Sequence, residues 1–173
     1  MKMNSMYIHM LIILLPLSLS NVLHMVIVKF DYFNYLKTPI NIKLLGENKT
    51  WRGFIFLPLS NAFTLMLVSL SFNLNIVNPF ILGFILGMAY ILSEFPNSLL
   101  KRKLGIKPGE TDTKFKLIFQ LFDKMDSAFG VCLVYYLLGF VDFYNAILLF
   151  VICSFTHIII SKILVILRLK KNF

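Results

Sequence analysis

Four long apolar runs constrain the fold of this chain more than any other feature. They cover residues 6–28, 54–72, 78–95 and 143–166, and about 20 apolar residues cross ~30 Å of hydrocarbon. A further run, 128–141, is too short, so we expect its helix to begin near Phe122. With 58% hydrophobic and 14% charged residues, the chain is far more apolar than soluble domains are. We predict an all-α, polytopic membrane protein with five helices, at 6–28, 54–72, 78–95, 122–141 and 143–166.

The positive charges gather at one end of these helices. Five crossings bring the loops 29–53 and 96–121 and the C-terminus to one side, and all but one of the 17 lysines and arginines fall there. Cytoplasmic segments carry such an excess. We therefore expect a single domain, residues 1–173, in the cell membrane, with its N-terminus outside and both loops inside. Because the net charge of +9 follows this topology, we expect no nucleic-acid partner.

A cleaved signal peptide is the alternative interpretation of the first run. Lys2 would be its charged end, and Ser18-Leu19-Ser20 its cleavage site. Cleavage would place the five charges of the loop 29–53 outside, against the positive-inside tendency. We therefore interpret the first run as a membrane helix.

Several less apolar side chains within these runs are expected to have packing roles. The cysteines are interpreted as small packing residues rather than as a disulfide or zinc site, and the histidines as hydrogen-bonded core residues. A glycine pair four residues apart could admit a neighbouring helix, either of the same chain or of a second copy in a homodimer. These residues are Cys132, Cys153, His9, His24, His157, Gly83 and Gly87.

The loop 29–53 ends in a polar motif directly before the second helix. It reads Asn48-Lys49-Thr50-Trp51-Arg52-Gly53. Lys49 and Arg52 are three residues apart and could converge on one phosphate. The alternative is ordinary juxtamembrane basic residues, with Trp51 as an interfacial anchor.

A second polar set begins at the end of the third helix. If this helix continues past Pro96, Glu94, Asn97, Ser98 and Lys101 share one face because they recur at three- and four-residue steps. Such a face can bind a polar ligand.

Two aspartates stand one helical turn apart before the short fourth run. Asp123 and Asp126 could hold one metal ion or two, and oxygen ligands without clustered histidine or cysteine favour Mg²⁺ over zinc. The alternative is a salt bridge to Lys124 or a nearby lysine. Basic residues for phosphates and carboxylates for Mg²⁺ are what phosphoryl or nucleotidyl transfer requires, and the chain has no Walker-type glycine loop.

Together these motifs resemble the membrane CTP-dependent phosphatidate cytidylyltransferases, and more closely their archaeal-type branch, the CDP-archaeol synthases. The resemblance covers the whole chain and rests on four motifs in order: Asn48-Lys49-Thr50-Trp51-Arg52-Gly53, Glu94-x-Pro96-Asn97-Ser98-x-x-Lys101-Arg102, Gly105-Ile106-x-Pro108, and Asp123-x-x-Asp126. The broader family has an aspartate after the lysine and a His-Gly-Gly before its aspartates. This chain has Lys107-Pro108 and Phe119-Gln120-Leu121 there, which favours the archaeal-type branch.

The resemblance implies transfer of CMP from CTP to a lipid phosphomonoester, with release of pyrophosphate. By motif position, Asp123 and Asp126 would bind Mg²⁺, with Glu94 as a further metal ligand or as the residue that orients a lysine. Lys101 would act in catalysis with both aspartates. Residues that would bind nucleotide or phosphate are Lys49, Thr50, Arg52, Asn97, Ser98, Arg102 and Lys107.

The expected acceptor is an isoprenoid ether lipid, 2,3-bis-geranylgeranyl glycerol phosphate, and phosphatidate is the alternative. A different class of function also stays open at this point. The chain could be a small transporter or a scaffold whose basic loops bind anionic headgroups.

Overall fold

The computed structural model of this protein describes residues 5–106 and 116–169, without the side chains of 116–121 and 124. Lys107, Lys170 and Lys171 therefore lie outside the described residues. The described part contains six α-helices and one 3-10 turn, and it contains no β-strand. The helices are α1 (Met6–Lys29), α2 (Ile42–Leu45), α3 (Trp51–Ser71), α4 (Pro79–Lys103), α5 (Lys116–Leu137) and α6 (Phe143–Ile166), and the 3-10 turn is Asn34–Leu36.

Four of these helices, α1, α3, α4 and α6, are long and apolar enough to cross a membrane. In α5 the apolar part is shorter and covers Met125–Leu137. The all-α, polytopic membrane fold predicted from the apolar runs is thus confirmed. The long helices alternate in direction, so the C-terminal ends of α1, α4 and α6 lie with the N-terminal ends of α3 and α5.

Several helix bounds differ from those that apolar length predicts. The third predicted helix, 78–95, continues as α4 through Pro96 to Lys103, and the fourth begins at Lys116 rather than near Phe122. Hydropathy marks where a chain leaves the hydrocarbon, whereas a helix continues while its backbone hydrogen bonds are made. A proline removes only one of those bonds. Much of the predicted loop 96–121 is therefore helical in its described part.

Smaller shifts occur at α3 and at the end of α5. Thr50 caps α3, because its hydroxyl accepts a hydrogen bond from the Gly53 amide at 3.4 Å, so this helix begins at Trp51 rather than at 54. Helix α5 ends at Leu137 rather than at 141, before a turn in which Gly139 has φ +77°. Left-handed backbone of this kind commonly ends helices.

Small residues bring α3 and α4 into close contact. A Cβ added at Gly87 would lie 2.6 Å from the Cα of Pro58, and one added at Gly83 would lie 2.8 Å from the Cα of Ala62. In addition, the Asn61 side chain donates a hydrogen bond to the Gly83 carbonyl at 2.6 Å. The glycine pair of α4 therefore packs against α3 of the same chain.

Candidate active site

Most of the polar side chains predicted for the site converge where α4 ends and α5 begins. The extension of α4 beyond Pro96 is what allows this, since Glu94, Asn97, Ser98 and Lys101 lie on the same helix. In the described residues, the hydrogen bonds of this cluster connect α4 to α5 and to the segment before α3. These elements carry three of the four sequence motifs, and the remaining one, Gly105-Ile106-x-Pro108, follows α4 and extends beyond the described residues.

Asn97 lies between the two aspartates. Its side-chain nitrogen donates to Asp123 Oδ1 at 2.7 Å and to Asp126 Oδ2 at 3.1 Å. The backbone amide of Ser127 donates to the other oxygen of Asp126 at 2.6 Å. One neutral amide thus holds two carboxylates one helical turn apart, as the spacing of the aspartates predicts.

Lys101 is buried and forms an ion pair with Asp123 through both carboxylate oxygens. The alternative interpretation of the aspartates was a salt bridge to a lysine, and for Asp123 the structure shows one, with a lysine of the basic α4 motif. The Lys124 side chain lies outside the described residues. A lysine in this position can exchange a carboxylate for the oxygen of a phosphate, because either anion satisfies its ammonium group.

Lys49 and Glu94 form a second ion pair, between the segment before α3 and the middle of the site. About a fifth of each side chain is exposed, so the pair is partly shielded from water. This contact is compatible with one of the two roles expected for Glu94, that of orienting a lysine, and both roles stay predictions. Among the described residues, no group of three or more carboxylate, histidine or cysteine side chains is placed to hold a metal ion.

The remaining predicted residues have different surroundings. Ser98 donates to the Glu94 carbonyl of its own helix at 2.9 Å, and Thr50 is the cap of α3. Arg102 follows Lys101, and its buried Nε has no hydrogen-bond partner in the described part of the chain. An anion that reached this guanidinium would supply the missing acceptor.

The hydrogen bonds of Arg52 go to the segment after α1 rather than to Asp123 or Asp126. Its side chain is 5% exposed, and its Nη1 donates to Asp31 Oδ1 and to the Tyr32 carbonyl, both at 3.0 Å. Asp31 accepts a further hydrogen bond from Lys37. These two cations hold the pKa of Asp31 below its ordinary value, chiefly through the hydrogen bond from Arg52.

His157 is a polar neighbour of the site that the sequence did not indicate. The imidazole of this α6 residue lies 3.1 Å from the Tyr90 hydroxyl and 3.4 Å from the Ser127 hydroxyl. Ser127 directly follows Asp126, so these contacts join α6 to the start of the apolar part of α5. From sequence alone, a lone histidine in an apolar helix is indistinguishable from a packing residue such as His9, which is buried and hydrogen-bonded to Tyr135 at 2.9 Å.

A cavity lies beside these groups, between α1, α4, α5 and α6. Six of its twelve lining residues are of polar type, although it is surrounded by apolar helices: Ser18, Asn21, Tyr90, Ser127, Thr156 and His157. Two of its lining residues, Leu14 and Ser18, also belong to an apolar groove along α1. Polar side chains within membrane helices usually face a bundle interior or a cavity, as these do.

The aspartate pair fits Mg²⁺ by its chemistry. This ion commonly takes one or two carboxylates from a protein and completes its octahedral shell with water and substrate phosphates. Asp123 and Asp126 offer those carboxylates, and the adjacent cations Lys101 and Arg102 would attract the phosphates. The donor set thus suits a magnesium–nucleotide complex better than a metal site made of protein ligands alone.

One known family matches nearly the whole chain. The CarS-like family model, described as CDP-archaeol synthase, matches residues 3–173. The chain belongs to the CDP-archaeol synthase family. Membership implies CDP-archaeol synthesis, which is a CTP-dependent cytidylyl transfer to a lipid. No curated protein and no solved structure gives a significant match to the chain.

Proposed function

We propose that this protein transfers CMP from CTP to 2,3-bis-geranylgeranyl glycerol phosphate in a Mg²⁺-dependent reaction. The observation that carries the proposal is the Asn97-bridged pair of Asp123 and Asp126, which stands beside buried Lys101 in a chain of this family. An oxygen of the lipid phosphate forms a bond to the α-phosphorus of CTP. The bond between the α-phosphorus and the β-phosphate oxygen breaks, and pyrophosphate leaves.

The basic side chains would hold the triphosphate in this reaction. Lys101 and Arg102 lie at the end of α4, where Lys101 contacts Asp123, and Lys49 enters from the segment before α3. These cations neutralise phosphate oxygens and orient the α-phosphorus toward the acceptor. Lys107 follows them in sequence and is proposed for the same role.

The carboxylates and the amide would order the reacting groups. Asp123 and Asp126 would hold Mg²⁺, which when bound offsets the negative charge of the triphosphate. Asn97 keeps the two carboxylates at a set separation, and Ser98 is close enough in sequence to offer a neutral hydrogen bond. An ionised lipid phosphate is already nucleophilic, so the reaction needs no protein base.

The lipid acceptor would approach from within the bilayer. The α1 groove is apolar, and the cavity that shares Leu14 and Ser18 with it reaches Ser127, the neighbour of Asp126. The lipid chains would stay in hydrocarbon along this groove. The cavity, of about 40 Å³, has room for only a few water molecules, so the phosphate would lie at the carboxylate end of the site. The same geometry suits phosphatidate, so acceptor preference has to be measured.

We also propose that the site faces the cytoplasm, where CTP is made, with the protein in the cell membrane. The excess of lysine and arginine at this end of the bundle supports that orientation. A homodimer stays a prediction, and Gly83 and Gly87 no longer argue for it because their face already packs against α3.

The central experiment compares Asp126→Asn with Asp142→Asn in purified protein given labelled CTP, Mg²⁺ and each lipid phosphate in turn. Asp142 is the N-cap of α6, and asparagine caps helices as well as aspartate does, so this control should keep wild-type turnover. Asp126→Asn should lose about 100-fold or more. Wild-type turnover in Asp126→Asn, or no labelled CDP-lipid from either acceptor with wild-type protein, would refute the proposal and favour a transporter or scaffold.

A further inference from the structure

The segment between α1 and Lys37 exposes an unusual concentration of aromatic rings. We call residues 30–36 the aromatic loop. Its four aromatic side chains are between 49% and 76% exposed: Phe30, Tyr32, Phe33 and Tyr35. Rings of this size seldom stay in water without a partner, whereas tyrosine is enriched where a protein meets lipid headgroups.

The aromatic loop folds back toward the membrane-spanning part of α3. The ring of Phe33 lies 6.3 Å from the ring of Phe56. Phe56 stands five residues after Trp51, the first residue of α3, or about 7.5 Å along the helix axis. The loop therefore lies beside the end of the bundle at the level of its apolar residues and does not project away from it.

A buried arginine holds the loop in this position. The guanidinium of Arg52, on the first turn of α3, binds the Asp31 carboxylate and the Tyr32 carbonyl. Asp31 and Phe33 have left-handed backbone, with φ +54° and +55°, which is rare for a residue as bulky as phenylalanine. Such strained backbone persists only where surrounding contacts enforce it, and it often marks functional segments.

The charges around the loop suit a membrane surface. The ammonium group of Lys29 lies 5.9 Å from the centre of the Phe30 ring, and Lys37 follows the loop directly. Lysines beside interfacial aromatic rings are attracted to anionic headgroups, whereas the rings favour the boundary between headgroups and hydrocarbon.

We propose that the aromatic loop inserts into the headgroup layer of the leaflet at the site's end of the bundle, with Arg52 as the positioning residue that aims it. The partner is therefore a lipid surface. Arg52 acts here through Asp31 and Tyr32 rather than through a phosphate of the substrate. This inference does not depend on the proposed cytidylyl transfer.

Tryptophan fluorescence in lipid vesicles tests the insertion. The chain has one tryptophan, so Trp51→Phe gives a silent background into which Tyr35→Trp or the control Glu47→Trp is introduced. Glu47 is exposed and lies in the same segment outside the aromatic loop. The vesicles contain phosphatidylglycerol and phosphatidylcholine brominated near the glycerol end of its chains.

Tryptophan at position 35 should emit at shorter wavelength and lose about half its intensity or more to the bromines, as an interfacial ring would. The control at position 47 should be quenched much less. Equal quenching at both positions, or no quenching at position 35, would overturn the proposal.

Adding Arg52→Gln to the protein that carries Trp51→Phe and Tyr35→Trp tests the positioning role of Arg52. If Arg52 aims the loop, quenching of the tryptophan at position 35 should fall toward that of the control while the helical circular dichroism is kept. Arg52→Lys should restore little of it, since an ammonium group cannot bind the carboxylate and the carbonyl in the same planar geometry. Unchanged quenching in Arg52→Gln would show that the loop inserts without the arginine and would refute its role.

Discussion

The side-chain amide of Asn97 donates a hydrogen bond to Asp123 at 2.7 Å and thereby joins α4 to α5 at the site. Its second hydrogen bond, to Asp126, makes this asparagine the neutral spacer between two negative charges. A third carboxylate in its place would repel both of them.

We therefore expect Asn97→Asp to reduce turnover by about 100-fold or more, because the carboxylates can no longer keep their separation. The measurement is release of pyrophosphate from CTP at saturating lipid phosphate. Asn75→Asp is the matched control, since Asn75 is exposed in the turn between α3 and α4, and it should leave turnover unchanged. Equal activity in both variants would contradict the assigned role of Asn97.

Gly130 sets the distance between α4 and α5 one turn beyond Asp126. A Cβ added there would lie 2.4 Å from the Cβ of Ser93, a separation that real side chains do not tolerate. Gly130→Ala should push the two helices apart, lower the free energy of unfolding by about 1–3 kcal/mol, and weaken the contact of Asn97 with the aspartates.

Ser93→Gly in the same chain tests that explanation. It removes the two nearest clashing atoms and leaves the Ala89 carbonyl oxygen at 2.9 Å, so the double variant should recover part of the thermal stability and turnover lost in Gly130→Ala. Gly139→Ala offers a contrast, because no atom lies within 4 Å of its added Cβ and any loss there comes from its φ of +77°. A double variant no better than Gly130→Ala would rule out Ser93 as the source of the clash.

The Lys49–Glu94 pair is partly shielded, so breaking it should cost more than breaking an exposed pair. Glu94→Gln leaves the Lys49 ammonium without its partner, and we expect the free energy of unfolding to fall by about 1–3 kcal/mol. Replacing both residues with methionine should destabilise less than either single replacement.

The exposed pair of Lys37 and Asp31, with 56% and 42% of the side chains accessible, serves as the comparison. Lys37→Gln should change the free energy of unfolding by no more than about 0.5 kcal/mol. Thermal unfolding in detergent, followed by circular dichroism, measures the destabilisation in Glu94→Gln and in Lys37→Gln. Equal destabilisation at the two pairs would show that shielding has no influence.

The pH dependence of the aromatic loop follows from Asp31, whose pKa is lowered mainly by its hydrogen bond with Arg52. A carboxylate with a lowered folded-state pKa stabilises the native contact above its unfolded pKa of about 3.9, and the contribution is lost as pH falls through the folded value. Insertion of the loop should therefore be constant from about pH 7 to 5 and weaken below about pH 4.

Bromine quenching of the tryptophan at position 35 follows this transition directly. Asp31→Asn keeps a side chain that tolerates left-handed backbone but cannot ionise, so its acid-dependent step should disappear. A step of the same size in Asp31→Asn would mean that another group is responsible.

Much of the site could be predicted because it depends on local spacing. Residues three or four apart on a helix share a face, which is why Asn97 and Lys101 meet the same aspartate and why Asp123 and Asp126 are held together. Arg52 has the spacing from Lys49 that suggested a shared anion, yet its hydrogen bonds are with Asp31 and Tyr32. Spacing predicts which residues are neighbours on a helix. It does not predict the path of the chain before that helix, which brings Asp31 and Tyr32 to Arg52.

The sequence by itself determined the membrane-spanning, all-α class. The length of an apolar run decides whether it can cross the bilayer, and a segment that crosses must satisfy its own backbone hydrogen bonds. The sequence also determined which motifs could carry phosphate chemistry. Tertiary structure alone decided that Glu94 binds Lys49 and that His157 of α6 lies beside Ser127. The physical reason is that these contacts join residues between 30 and 45 positions apart, and their partners are chosen by how the helices pack rather than by any local pattern.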